Sequence, residues 1–152
     1  MGVVDKILKK YSYKKGNLLS ILLDIQKQSG RNFLPKDWLK EVSEKIRIPL
    51  SNIYGIVTFY SLLSLKPRGK YIIRICRSGP CNFVGGKELV LFLENELNIK
   101  LGETTKDGKF TLEKTSCLGH CDRPPVVMIN DRIYTNVTFD KVKKILKSLR
   151  KK

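Results

Sequence analysis

Apolar residues in the first half of the chain recur at helical spacing. In Asn17–Ser29, Leu18, Ile21, Leu22 and Ile25 fall at i, i+3, i+4 and i+7, and Gly30 follows as a stop. Pro35 stands where a second helix can open. Asp37 adds a favourable charge in its first turn, and Trp38, Val42 and Ile46 follow at four-residue spacing. Pro49 separates a third segment, with Ser51 read as its N-cap ahead of Ile53, Ile56, Val57 and Tyr60. The pattern predicts a three-helix bundle whose members are too short to be stable without packing partners.

The pattern changes at Pro67-Arg68-Gly69, so the expected units are 1–68 and 69–152. Tyr71-Ile-Ile-Arg-Ile75 is a short β-branched run ending at Cys76. Gly85-Gly86 precedes a helix with Leu89, Leu93 and Leu97 on one face. Asp107-Gly108 signals a hairpin turn into a strand from Phe110 to Thr115. Pro125–Ile129 and Arg132–Thr135 read as two further strands joined at Asn130-Asp131. Thr138 can cap a last helix with Val142, Ile145, Leu146 and Leu149 on one face. Strand, helix, three strands and helix predict one sheet with helices packed on it, an α/β (α+β) arrangement.

Composition narrows the class of protein. At 41% hydrophobic and 29% charged residues, the chain reads as an ordinary globular protein rather than a disordered one. Its apolar runs fall short of the roughly 20 residues that span a bilayer, and its first residues lack the apolar core of a secretory signal. Membrane insertion is not expected, and a cytoplasmic location is. The net charge of +16 suggests an acidic partner or a polyanion. The cations are spread widely, however, and the run over 141–152 reads first as the solvated face of the last helix. No recognition helix, RNP pattern or aromatic–basic interleaving points to nucleic acid.

The candidate chemistry lies in four cysteines: Cys76-Arg-Ser-Gly-Pro-Cys81 and Cys117-Leu-Gly-His-Cys121. Each pair follows the end of an expected strand, so pairing of those strands would bring the two loops together. A reducing compartment disfavours disulfides, and neither spacing is the Cys-x-x-Cys of a dithiol redox pair. A Cys₄ zinc site tolerates such spacings, although zinc mainly serves domains too small to fold without it. An iron–sulfur cluster suits two loops of two thiolates each, since each iron of a [2Fe–2S] centre takes two protein sulfurs. Gly79 and Gly119 lie inside the loops, where glycine permits tight turns and N–H groups aimed at sulfide. The single histidine, His120, excludes a Rieske centre and any Cys/His or Ser/His/Asp catalytic set. It reads as an exposed neighbour of the centre. No phosphate-binding glycine loop follows a strand; Gly85-Gly86 alone is a weak signal. Arg77 and Arg123 each flank a cysteine and read either as solvated cations or as groups that favour a more negative, reduced cluster.

The cysteine spacing, with Gly102–Leu112 and Cys117-Leu-Gly-His-Cys121, resembles the NuoE family. These are the thioredoxin-like [2Fe–2S] subunits of NADH dehydrogenase, with related subunits in NAD(P)-linked hydrogenases and formate dehydrogenases. Leu22–Gln26, Ile48-Pro49, Ile53–Tyr60 and Pro67–Lys70 resemble its N-terminal helical part. The resemblance implies a thioredoxin-like [2Fe–2S] ferredoxin domain after the helical bundle. It implies one [2Fe–2S] cluster on Cys76, Cys81, Cys117 and Cys121, and a region for a cis-proline at Pro124-Pro125. It also implies single-electron exchange with a NuoF-like flavoprotein that carries FMN and NAD(H), other iron–sulfur subunits beside it, and a place on the cytoplasmic side of a larger complex. This chain would be an electron-transfer subunit, not catalytic alone. A zinc-stabilised basic binding module and a free-standing ferredoxin-like carrier are the alternatives. The chain is more basic than is usual for that family.

Overall fold

The computed structural model describes residues 2–151. It divides into two compact units that meet in sequence between Arg68 and Gly69.

The first unit holds the three expected helices, here α2 (Leu18–Gln28), α3 (Lys36–Ile46) and α4 (Leu50–Phe59), preceded by a fourth, α1 (Val3–Lys10). α1 buries Val4, Ile7 and Leu8, spaced i, i+3 and i+4, among Ile21, Leu22, Ile25, Leu39 and Val42. Each large aliphatic side chain so buried favours folding by about 1.5–3 kcal/mol. On α3 the buried stripe is Leu39, Val42 and Ile46, with Trp38 only partly covered. A period of 3.6 residues puts position 38 at the margin of that stripe. α4 begins at Leu50, with Pro49 in the N-cap position at φ −53° and ψ 136°. Ser51 therefore lies exposed inside the first turn and caps nothing, contrary to the sequence expectation. Buried Gln26 fastens the segment after α4: its amide donates to the Leu62 carbonyl and accepts from the Ser64 N–H, both at 2.8 Å.

The second unit is built on a four-stranded sheet of order β2-β1-β3-β4. The strands are β1 (Tyr71–Cys76), β2 (Phe110–Thr115), β3 (Val127–Ile129) and β4 (Arg132–Tyr134). β1 and β2 run parallel, joined through α5 (Lys87–Leu97), as a parallel pair requires. β3 is antiparallel to β1 and to β4. α6 (Phe139–Arg150) closes the chain, and the Thr138 hydroxyl accepts a hydrogen bond from the Lys141 N–H at 3.2 Å, the expected cap.

Alternate strand positions sort the sheet's two faces. Ile73, Ile75, Phe110, Leu112, Val127 and Ile129 pack with Leu89, Leu93 and Leu97 of α5 and with Val142 and Leu146 of α6. On the opposite face, Arg74 pairs with Glu113 across the parallel ladder at 3.1 Å. The Asp107-Gly108 signal makes a tight turn, and the segment ahead of it meets β2 in an isolated bridge, Thr104 to Thr111. No helix among the described residues is long and apolar enough to cross a membrane.

Candidate metal centre

The sheet topology gathers the four cysteines. Cys76 is the last residue of β1 and faces Thr115, the last residue of parallel β2, in register. Both strands therefore release their loops at the same end of the sheet, one into Arg77–Cys81 and the other into Ser116–Cys121. β3 enters at that end from the opposite direction. The Cys76 N–H donates to the Val126 carbonyl just before it (3.1 Å), and the Arg77 N–H donates to the carbonyl of Thr115 at the end of β2 (3.1 Å). The peptide bond between Pro124 and Pro125, in the region the resemblance pointed to, is cis.

Two sulfur pairs result. Cys76 and Cys81 are buried, at 2% and 1% exposure, and their side chains touch. Cys117 and Cys121 are exposed, with their Sγ atoms 3.1 Å apart. The second loop reaches the first pair, because Leu118 packs against the cluster of Cys76, Cys81 and Val126. Gly119, at φ 82°, adopts the left-handed turn that lets its N–H approach Cys117 Sγ at 3.4 Å. Gly79 needs no such freedom, since it opens a short helical turn, Gly79–Cys81.

The thiols respond to these surroundings. Burial pushes Cys76 up, yet hydrogen bonds from the Ser78 hydroxyl, from the Ser78 and Leu118 N–H groups and from Cys81 outweigh it and hold the thiol below its ordinary value. Burial and the adjacent Cys76 sulfur raise Cys81. Cys121 is raised, first by its hydrogen bond with Cys117, then by burial and by the charges of Cys117, Cys76 and Cys81. The exposed pair thus lies within electrostatic reach of the buried one. Among the described residues, no three Cys, His, Asp or Glu side chains converge as a one-ion site requires. Two touching pairs suit a two-iron cluster, in which two sulfurs serve each iron.

The neighbours sort differently from one another. His120 is exposed and lies in the second loop. Arg123 forms an ion pair with adjacent Asp122 at 3.1 Å, which reduces its field at the centre. Arg77 is exposed and lines a cleft of about 360 Å³ against Cys76 and Ile75, together with Lys87 and Lys114. Among the described residues, no carboxylate lines that cleft.

Two residues that sequence reasoning passed over stand against the buried cysteines. Ser78 Oγ stands 3.2 Å from Cys76 Sγ. Gly86 packs so closely that a Cβ there would lie 2.5 Å from the Cys81 carbonyl oxygen. Its place in a Gly-Gly pair suggested only a helix start. The available signal was that such a pair sits five residues beyond a candidate ligand, where the chain turns back on itself.

Fold and thiols together define a small α/β protein with two pairs of free cysteines in the loops at one end of its sheet. The chain belongs to the thioredoxin-like [2Fe–2S] ferredoxin family, whose model matches residues 4–150. A subunit of the NADH-quinone oxidoreductase of Rickettsia conorii is 37% identical over 150 residues, covering 98% of this chain and 90% of the relative. Its namesake in Buchnera aphidicola subsp. Baizongia pistaciae is 39% identical over 145 residues (95% and 84% covered). The HndA subunit of the NADP-reducing hydrogenase of Solidesulfovibrio fructosivorans is 34% identical over 143 residues (94% and 82%). A chain of an NAD⁺-reducing [NiFe]-hydrogenase in its air-oxidized state shares the fold, with a TM-score of 0.73 at 23% identity. The match covers 85% of this chain and 22% of that longer one.

Proposed function

We propose that Cys76, Cys81, Cys117 and Cys121 ligate one [2Fe–2S] cluster, and that the chain is an electron-transfer subunit of a cytoplasmic, NAD(H)-linked multi-subunit oxidoreductase. The observation that carries this reading is the gathering of two touching thiol pairs at one end of the sheet, in a member of a [2Fe–2S] family. Bound there, such a cluster supplies one-electron redox chemistry.

The chain's own residues supply the setting. The end of β1 fixes Cys76, and the turn through Gly79–Cys81 brings Cys81 back against it. Burial of that pair keeps water from one side of the centre. Exposure of Cys117 and Cys121 leaves the other side open to a partner. Backbone N–H groups of Leu118 and Gly119 aim at sulfur, where they favour negative charge. Nothing in the chain binds or activates a substrate in this reading. The partner is a NuoF-like flavoprotein carrying FMN and NAD(H), a reading supported by relatives that are named as subunits of NADH-quinone oxidoreductases and of an NADP-reducing hydrogenase.

Mixing the anaerobic, cluster-loaded protein with the purified flavoprotein subunit from the same organism and adding NADH tests this. Reduction of the visible iron–sulfur absorbance is expected in wild type, and no such absorbance in any single Cys→Ser variant with normal melting. Full cluster content in Cys117→Ser or Cys121→Ser would contradict the ligand assignment. A loaded protein that the flavoprotein never reduces would contradict the partner assignment.

A further inference from the structure

We infer that the Ser78 hydroxyl sets the reduction potential of the centre by donating a hydrogen bond to the Cys76 sulfur; this rests on the ligand reading above. Three observations carry it. First, Ser78 Oγ lies 3.2 Å from Cys76 Sγ, a sulfur of the buried pair. Between a serine and a free thiol either group can donate. A thiolate bound to iron has no proton, so the hydroxyl becomes the donor. Cys76 is 2% exposed, which leaves little room for water to stand in for that donor.

Second, the hydroxyl is not used where a serine in its position would ordinarily be used. Ser78 occupies the N-cap position of the turn Gly79–Cys81, with extended backbone (φ −66°, ψ 161°), yet makes no capping hydrogen bond. A serine cap is worth about 1 kcal/mol. Pro80 removes one N–H such a cap would serve. The hydroxyl turns to sulfur instead, while the Ser78 carbonyl accepts from the Asn82 N–H at 3.0 Å and holds the turn closed.

Third, the other non-cysteine donors to these sulfurs among the described residues are backbone N–H groups, of Ser78, Leu118, Gly119 and Val126. Any sequence of this fold retains most of those donors. Ser78 adds a side-chain donor, and so one that sequence change can switch. Reduction adds one electron and one unit of negative charge at the centre, with no proton required. A donor to a ligand sulfur stabilises the more negative state more and raises the potential.

The test is an anaerobic redox titration of protein reconstituted with ferrous iron and sulfide, followed by electron paramagnetic resonance. Ser78→Ala should favour the oxidised state about tenfold relative to wild type, a fall of about 59 mV for one electron. Ser78→Thr, which keeps the hydroxyl, should stay close to wild type. Ser78→Val has the shape of threonine without its donor and should follow alanine; the threonine–valine pair carries the test if the alanine variant loads poorly. Equal potentials for threonine and valine variants at equal cluster content would overturn the inference and leave the ligand assignment standing. Wild-type protein that takes up no cluster would overturn both.

Discussion

Three side chains beside the centre differ in what they can do to it, and distance from water decides the ranking. Ser78 acts across 3.2 Å beside a buried sulfur. Arg77 is exposed, where salt and solvent screen its charge, and the field of Arg123 is offset by Asp122. Arg77→Gln is therefore expected to move the potential less than Ser78→Ala does, and a larger shift for Arg77→Gln would reverse that ranking. Gly86 acts sterically. Its backbone conformation, φ −64° and ψ −31°, suits any residue, so a substitution meets only the clash with the Cys81 carbonyl. Gly86→Ala should cost about 1–3 kcal/mol, as overpacking does. It should also lower iron content at equal protein concentration, read by thermal melting and metal analysis. The cysteines stood out in the sequence as candidates because ligand chemistry has few residue types and a recognisable spacing. Ser78 and Gly86 were not, because their roles depend on where a carbonyl and a sulfur come to lie after the chain has turned.

Helices and strands follow the hydrophobic pattern where several apolar residues share a face, and depart from it at their ends. α2 and α5 bury the residues their spacing marks, and α6 buries Val142 and Leu146 with Ile145 and Leu149 only partly covered. α1 escaped notice because eight residues with four charges carry little helical signal of their own and depend on packing. Ser51 misled as a cap because Pro49 already takes that position in the chain. β3 begins at Val127 rather than Pro125, since proline has no N–H for the ladder. Polar fastenings between α1 and its neighbours were equally invisible. Asp24 on α2 accepts hydrogen bonds from Lys10 and from Tyr11, both at 2.8 Å, and these hold its carboxyl below the usual range. A carboxylate lowered in the folded state contributes stability above its unfolded value of about 3.9, and loses it as pH falls through the folded value. Asp24→Asn should therefore melt earlier than wild type near neutral pH, with the difference shrinking below about pH 4. A difference that grows on acidification would contradict this pairing.

At the scale of the molecule, parallel pairing of β1 with β2 brings two distant cysteine motifs to the same end of the sheet. Motif spacing shows two loops of two thiols, but only topology shows that both leave the same end of the sheet. The charge of +16 also acts at this scale. Arg77, Lys87 and Lys114 concentrate it in a cleft beside Cys76. An electron-transfer partner with acidic groups would be steered there. Association with the proposed flavoprotein partner should slow as salt shortens the Debye length from about 10 Å at 0.1 M to about 3 Å at 1 M. Lys87→Glu with Lys114→Glu should slow it at low salt and flatten the salt dependence, read by stopped-flow kinetics. An association rate indifferent to both changes would remove the cleft from the encounter.

The ligand assignment meets its most direct test in the metal and sulfide content of anaerobically purified wild-type protein, read with its electron paramagnetic resonance spectrum after reduction. Iron and acid-labile sulfide in equal amounts, a reddish-brown colour and a signal that appears on reduction are the predicted result. A colourless protein holding zinc in place of iron, silent after reduction, would contradict it.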